Sequence, residues 1–307
     1  MAGPSAAREA ALARLASLRL HQRNGHRSPH KPLLVLLALG RVDTTGSSEL
    51  PRSEAKSRLA DLIAEFGPAS RTGRLQSAAY PFTRLRSDGV WQLDCDVPMD
   101  EVKPLSEHDV TGRFEPTLEA SMRTDRSLIF AIARALVTSH FPETVASEVL
   151  TAVGLDPTLV LRAPDVLAEP VGLANDRRRN SGWRSAVLQA WDRQCAFCGY
   201  DGQLAGAPVG VEAAHVRWFA FEGPDTLDNG LALCVLHHKL FDLGALGLDA
   251  AMRVRVSTTF TTRTDAGRTV YDLHGRELRP RPGTTLPARV HVAWHDREVF
   301  KGAPLAA

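Results

Sequence analysis

The chain lacks the marks of several protein classes. No stretch approaches the roughly 18–20 consecutive apolar residues that a membrane-spanning helix needs, so no membrane association is expected. Cysteine occurs only four times in 307 residues, and three of the four are grouped, which argues against a disulfide-stapled scaffold. There is no internal repeat and no long low-complexity tract. Net charge is only +2, so the bulk balance by itself points to no charged partner. The opening residues, MAGPSAAREAALARLASLRL, are a helix pattern interrupted by Arg8, Glu9, Arg14 and Arg19, without the apolar core of a secretory signal. The expectation is a cytoplasmic chain, in which Cys95, standing apart from the other thiols, is a buried or neutral one.

What is present is a globular composition, 44% hydrophobic and 23% charged, at a length that suggests about two domains. The charge is unevenly spread. Residues 1–87 carry 14 Lys/Arg against 6 Asp/Glu, residues 88–174 carry 6 against 15, and residues 175–307 carry 17 against 14. The basic N-terminal segment is either an electrostatic footprint for a polyanion or a solvated helix surface. Helical spacing and end signals predict helices over 5–21, over 28–42 with Ser28 as cap and Gly40 as stop, and over 53–67 with Leu59, Leu62, Ile63 and Phe66 inward. GVWQLD (89–94) reads as a strand, EPTLEASMRTDRSLIFAIARALVTSHF as helix in two pieces, and 142–155 as a further helix. The proline-rich, charged stretch 156–182 fits a linker. WRSAVLQAWDRQ is then a helix, and MRVRVSTTF and TVYDLHGREL alternate as strands do. The predicted class is α+β, with a mainly helical domain over 1–155, a linker over 156–182 and a second domain over 183–307.

The second domain carries the chemistry. Cys195 and Cys198 form one C-x₂-C pair, and Cys234 and His237 form a C-x₂-H pair after 35 intervening residues. Two tight turns presenting two ligands each suit a tetrahedral structural Zn²⁺. Ordinary buried thiols or a redox C-x₂-C are the competing readings. Between the pairs lie VEAAHVRWF, with His215 near the end of a strand, and GPDTLDNGLALC, with Asn229 in a loop before a strand. His238 follows directly after the second pair.

With His215, Asn229 and His238 interleaved with these metal pairs, residues 183–245 resemble the HNH endonucleases, whose core is a ββα-metal finger. The resemblance implies phosphodiester hydrolysis assisted by Mg²⁺ or Mn²⁺. It implies His215 as general base, Asn229 as the residue that orients it or adds an oxygen to the site, and His238 as a ligand of the catalytic ion. Asp242, four residues on along a helix, shares a face with His238 and is a candidate second ligand. His237 would then close the zinc site while its neighbour faces the cleft. Many such enzymes have an acidic residue or histidine just before the base histidine; here that position is Ala214, and strand alternation puts nearby Glu212 on the opposite face.

In the first domain, HKPLL, SAAYPFTRL and HFPETVASEVLTAVGL resemble the sulfur-binding domain of phosphorothioate-dependent type IV restriction endonucleases, the McrA-like class. The class joins such a domain to an HNH nuclease, and LHGRELRP and WHDREVF are similar to its tail. The resemblance implies double-stranded phosphorothioated DNA as target, with Tyr80 and Pro81 at the sulfur pocket, His30 and Lys31 on bases and backbone, and Arg113 beside the pocket. Sulfur is larger, softer and a poorer hydrogen-bond acceptor than the oxygen it replaces, so apolar rings suit it. A plain Tyr-Pro core turn is the bland reading of the same stretch. Two other functions fit the residues less fully: an HNH restriction enzyme specific for methylated bases, and an inactive zinc-stabilised DNA-binding protein. One HNH site cuts one strand, so a double-strand break implies a homodimer or two visits.

Overall fold

The computed structural model describes residues 13–15, 18, 28–68, 79–98, 107, 109–162 and 181–306. The chain divides into two compact units, Met1–Asn175 and Asp176–Ala307. The helix expected over 5–21 lies almost wholly outside the described residues.

The first unit is built around helix α1 (His30–Thr45), whose residues Leu33 to Leu39 are all buried. A helix apolar all round belongs in the middle of a bundle. Strand β1 (Leu50–Pro51) and helix α2 (Arg52–Phe66) follow, then the short helix α3 (Ala79–Arg84). Strands β2 (Trp91–Leu93) and β3 (Thr111–Phe114) lead to α4 (Pro116–Thr124), α5 (Arg126–His140), α6 (Glu143–Ala152) and α7 (Pro157–Arg162). Helices α2, α4 and α5 all pack against α1. The two-piece helix breaks at Asp125, whose carboxylate accepts from the Ser127 amide at 3.0 Å and so caps α5.

Two expected helix-end residues act differently. Gly40 does not end α1, which runs on to Thr45 and closes at Gly46 with φ 76°. A Cβ at position 40 would run into the Val153 carbonyl, so this glycine lets the chain after α6 approach the helix closely. Ser28 makes no backbone cap; its hydroxyl meets the His30 Nδ1 at 3.3 Å. Cys95 is exposed rather than buried.

The three strands form one antiparallel sheet in the order β1-β3-β2, with Leu50 opposite Gly112 and Trp91 opposite Phe114. Phe82 of α3 meets Trp91 edge-on at 5.8 Å, and Trp91 meets Phe114 at 5.7 Å. This buried aromatic column ties α3 to the sheet. It depends on Gly112, because a Cβ there would lie 2.5 Å from the Trp91 ring. Gly112→Ala is expected to cost about 1–3 kcal/mol by overpacking, measured as a lowered midpoint in urea at unchanged slope; a midpoint at the wild-type value would contradict the close packing.

The expected linker, 156–182, opens with α7, whose Val160 is buried against α5 and α6. Residues 163–180 of it lie outside the described residues.

The second unit begins with α8 (Ser181–Ala190). Strands β4 (Gln203–Leu204) and β5 (Ala207–Pro208) form a small hairpin. Strands β6 (Val211–His215) and β7 (Gly230–Cys234) form a second, in register from Val211 opposite Cys234 to His215 opposite Gly230. Helix α9 (Val235–Asp242) starts at once after β7, completing a ββα unit. Strands β8 (Leu246–Leu248) and β9 (Val254–Val256), the short helix α10 (Asp265–Arg268) and helix α11 (Arg289–Glu298) follow. Trp191, Phe197, Leu231, Leu233 and Phe241 lie in its core. TVYDLHGREL does not form the expected strand. It contains a 3-10 turn over Tyr271–Leu273 and one bridge from Glu277 to Arg253, because Val270 and Leu273 both turn inward at helical rather than alternating spacing. The class is α+β, as the patterning implied.

Candidate functional site

Cys195 and Cys198 lie on the tight turns after α8, while Cys234 ends β7 and His237 stands in the first turn of α9. The hairpin register brings the two pairs together. Cys195 Sγ and Cys234 Sγ lie 3.4 and 3.3 Å from His237 Nδ1. One donor atom from each of the four residues falls within 4.8 Å of the others. A tetrahedral zinc with sulfur ligands at about 2.3 Å needs donors about 3.8 Å apart, so the set fits zinc. Hydrogen bonds from Cys198 and Cys234 pull the Cys195 thiol far below its ordinary value, and the same contacts push Cys234 up. A dication would remove that opposition, since it deprotonates coordinating thiols outright.

His215 closes β6. Its Nε2 is 2.8 Å from Asp225 Oδ1, and its ring lies flat on the Trp183 indole of α8, 3.8 Å between centroids at 13°. Asp225 was absent from the sequence expectations, although it stands four residues before Asn229 in the same loop. Asn229 is fully buried. Its Oδ1 accepts from the Arg217 amide at 2.8 Å, and its Nδ2 donates to the Arg217 and Pro224 carbonyls, both at 3.0 Å. These three bonds pin both ends of the loop that carries Asp225. Through its own carbonyl, which accepts from the Val216 amide at 3.0 Å, Asn229 also holds the residue after His215.

On α9, His237 and His238 point apart. His238 Nδ1 is 2.8 Å from Glu212 Oε2, and its Nε2 is 3.3 Å from Asp242 Oδ2. Glu212 lies on the strand face opposite Ala213 and His215, and from there it meets the helix. The hydrogen bond with His238 holds its carboxyl below the ordinary value. Glu212, His238 and Asp242 are therefore one connected oxygen and nitrogen set, of the type that binds a hard divalent ion. As arranged, both carboxylates grip the imidazole itself. Among the described residues, only the cysteine and His237 group gathers its donors within the distance of a preformed metal centre.

In the first unit, Lys31 Nζ at the start of α1 meets Asp88 Oδ2 at 2.5 Å, with both side chains largely buried. The pair tethers α1 to the 3-10 turn over Leu85–Asp88 that follows α3. Pro81 is buried in α3, while the Tyr80 side chain, and Arg71 and Arg74, lie outside the described residues. Arg113 meets Glu49 at 3.0 Å and the buried Glu119 at 3.2 Å. Glu119 also takes a short hydrogen bond from the Ser48 hydroxyl, so Arg113 sits at the mouth of a buried polar knot. Lys31 is thus tied to the turn that follows α3, and Arg113 stands on β3 between Gly112 and Phe114, which face the aromatic column.

Residues 8–158 match the family described as the ScoMcrA-like DNA sulfur-binding domain, and residues 195–249 match the HNH endonuclease family. No curated protein matches the chain. Three of the similar solved structures show the range. The sulfur-binding domain of SprMcrA, complexed with phosphorothioated DNA, is 18% identical, with 50% of this chain and 98% of that one covered, at a TM-score of 0.42. The type IV phosphorothioation-dependent restriction endonuclease ScoMcrA is 19% identical, with 66% of this chain but 34% of that one covered, at 0.40. The modification-dependent restriction endonuclease TagI is 24% identical, with 39% and 38% covered, at 0.31. The chain spans about a third of the length of the last two enzymes. Scores this low transfer no geometry.

Proposed function

This chain joins a ScoMcrA-like DNA sulfur-binding domain to an HNH endonuclease domain, and from that premise we propose that it is a restriction endonuclease that binds double-stranded DNA carrying phosphorothioate and hydrolyses its phosphodiester bonds. The observation that carries the reading is the union of the two domains on one chain, with the nuclease half built as a ββα unit around His215 and His238. The first unit, which runs through α7, recognises the modification, the second unit from α8 onward cuts, and the residues between α7 and α8 connect them. Reduced thiols grouped as metal donors favour a cytoplasmic setting.

The proposed chemistry follows from the side chains. Cys195, Cys198, Cys234 and His237 would hold a structural zinc, which would tie the turn before β4 to the end of β7 and the start of α9. Asp225 holds the proton on His215 Nε2, which makes Nδ1 the basic nitrogen, and Nδ1 takes the proton of the attacking water. Asn229 keeps the loop that delivers Asp225. His238 and Asp242, with Glu212, are the residues that would hold Mg²⁺ or Mn²⁺, and such an ion supplies charge stabilisation at the phosphate and leaving oxygen. Glu212 takes the part that Ala214 leaves open. Tyr80 is the proposed sulfur contact, backed by the buried Pro81, with His30, Arg113 and Lys31, the last held by Asp88, supporting the contact to DNA. Two chains act together on one duplex, since one site cuts one strand.

The test is cleavage of two duplexes identical but for one phosphorothioate. The full chain with Mn²⁺ is expected to cut the sulfur duplex only, and Tyr80→Ala to lose that preference. Equal cutting of both duplexes would overturn the proposed target and leave the nuclease assignment standing. Sedimentation on the sulfur duplex should show two chains per DNA; one chain per DNA with double-strand cleavage would overturn the dimer.

A further inference from the structure

Trp183 lies on α8, outside the segment matched to the HNH family. Its side chain nevertheless meets three parts of the nuclease centre. The indole face stacks on the His215 ring. The indole Nε1 donates to the Thr226 carbonyl at 2.9 Å, one residue past Asp225. Its Cζ2 would lie 3.2 Å from a Cβ at Gly230, the residue paired with His215 across the hairpin. The same Cβ would lie 2.5 Å from Val187 Cγ2, so Gly230 makes room for Val187 first and for the indole beside it. Asp225 bonds one edge of the imidazole, and that bond fixes a direction in the ring plane. It does not fix the tilt of the ring about that direction; a flat partner does.

We infer that Trp183 is a positioning residue for the general base: its indole sets the plane of the His215 ring, and through Thr226 it sets the loop from which Asp225 reaches that ring. The stack acts on rate, because a reacting group displaced by about 1 Å costs up to about 100-fold. Buried tryptophan beside a hairpin has a plain packing role as well, and the two roles separate experimentally. A packing role weakens the fold whatever stands at 215. A positioning role acts only through the imidazole.

This inference rests on the proposed role of His215, and the test separates the two. Single-turnover cleavage of the phosphorothioated duplex is measured for the full chain, Trp183→Ala, Trp183→Phe, His215→Ala and the double variant Trp183→Ala/His215→Ala, together with KM and zinc content. Trp183→Ala is expected to lower the rate about 10- to 100-fold with KM and zinc unchanged. Trp183→Phe, which keeps a flat ring, recovers most of the loss. In the His215→Ala background, Trp183→Ala costs nothing further, the signature of two residues acting as a unit. An equal loss in both backgrounds, a loss confined to KM or accompanied by zinc release, or a wild-type rate in Trp183→Ala would each overturn the inference. Full activity in His215→Ala would instead overturn the base assignment, and the inference with it. If Trp183→Ala does not fold, Trp183→Leu, which fills the volume without a flat ring, replaces it in the cycle.

Discussion

Replacing His215 with alanine is expected to lower the rate of phosphodiester cleavage about 100- to 10,000-fold, the range a positioned proton acceptor contributes, while leaving DNA binding intact. The expectation rests on geometry. His215 ends a hairpin strand, its Nε2 is bonded to Asp225 at 2.8 Å, and its ring is stacked on Trp183. A histidine kept only for packing has no need of a carboxylate delivered by a loop that a buried asparagine pins at both ends. Asp225→Asn keeps the shape and removes the charge that fixes the tautomer, so it should fall between wild type and His215→Ala. Quench-flow on the sulfur duplex measures both. Full activity in His215→Ala would remove the proposed base.

The second large effect concerns the metal. Cys195→Ser, or prolonged chelation of the wild-type chain, is expected to release about one zinc per chain and to unfold residues 181–306. Structural zinc in small modules contributes on the order of 10–16 kcal/mol of binding free energy, and that is folding free energy. Here Cys195 is fully buried in the core beside Phe197, and the ligands span the turn before β4, the end of β7 and the start of α9. Hydrogen exchange followed by proteolysis reads each unit separately: the peptides of 181–306 should lose protection while those of 109–162 keep it. Retained zinc and retained protection in Cys195→Ser would show that the ligand set is wrong.

Much of this was legible in the residues, and the rest was hidden for identifiable reasons. The pairing of Cys195–Cys198 with Cys234–His237 could be read because metal geometry forces short spacings within each pair. The helices of the first unit could be read from their apolar period. Gly40 was misread as a helix stop because a glycine's local role, chain freedom, is visible in sequence, whereas its real role, closeness to Val153, depends on a segment far along the chain. TVYDLHGREL alternates like a strand, yet no strand partners it beyond one bridge. Asp225 and Trp183 were invisible as partners of His215, since they lie 10 residues after it and 32 before it and only the fold brings them together. Glu212 was set aside by strand alternation, and correctly placed on the other face; that α9 presents His238 to that face was not readable from the strand alone.

The proposed recognition of sulfur in the DNA backbone is tested by the binding of a chain that cannot cut. Full-length His215→Ala is titrated, without divalent ions, against two short duplexes that differ only in one non-bridging sulfur, at one stated salt concentration. Clearly tighter binding to the sulfur duplex is expected, with loss of that difference when Tyr80→Ala is added. Equal dissociation constants for the two duplexes would contradict it.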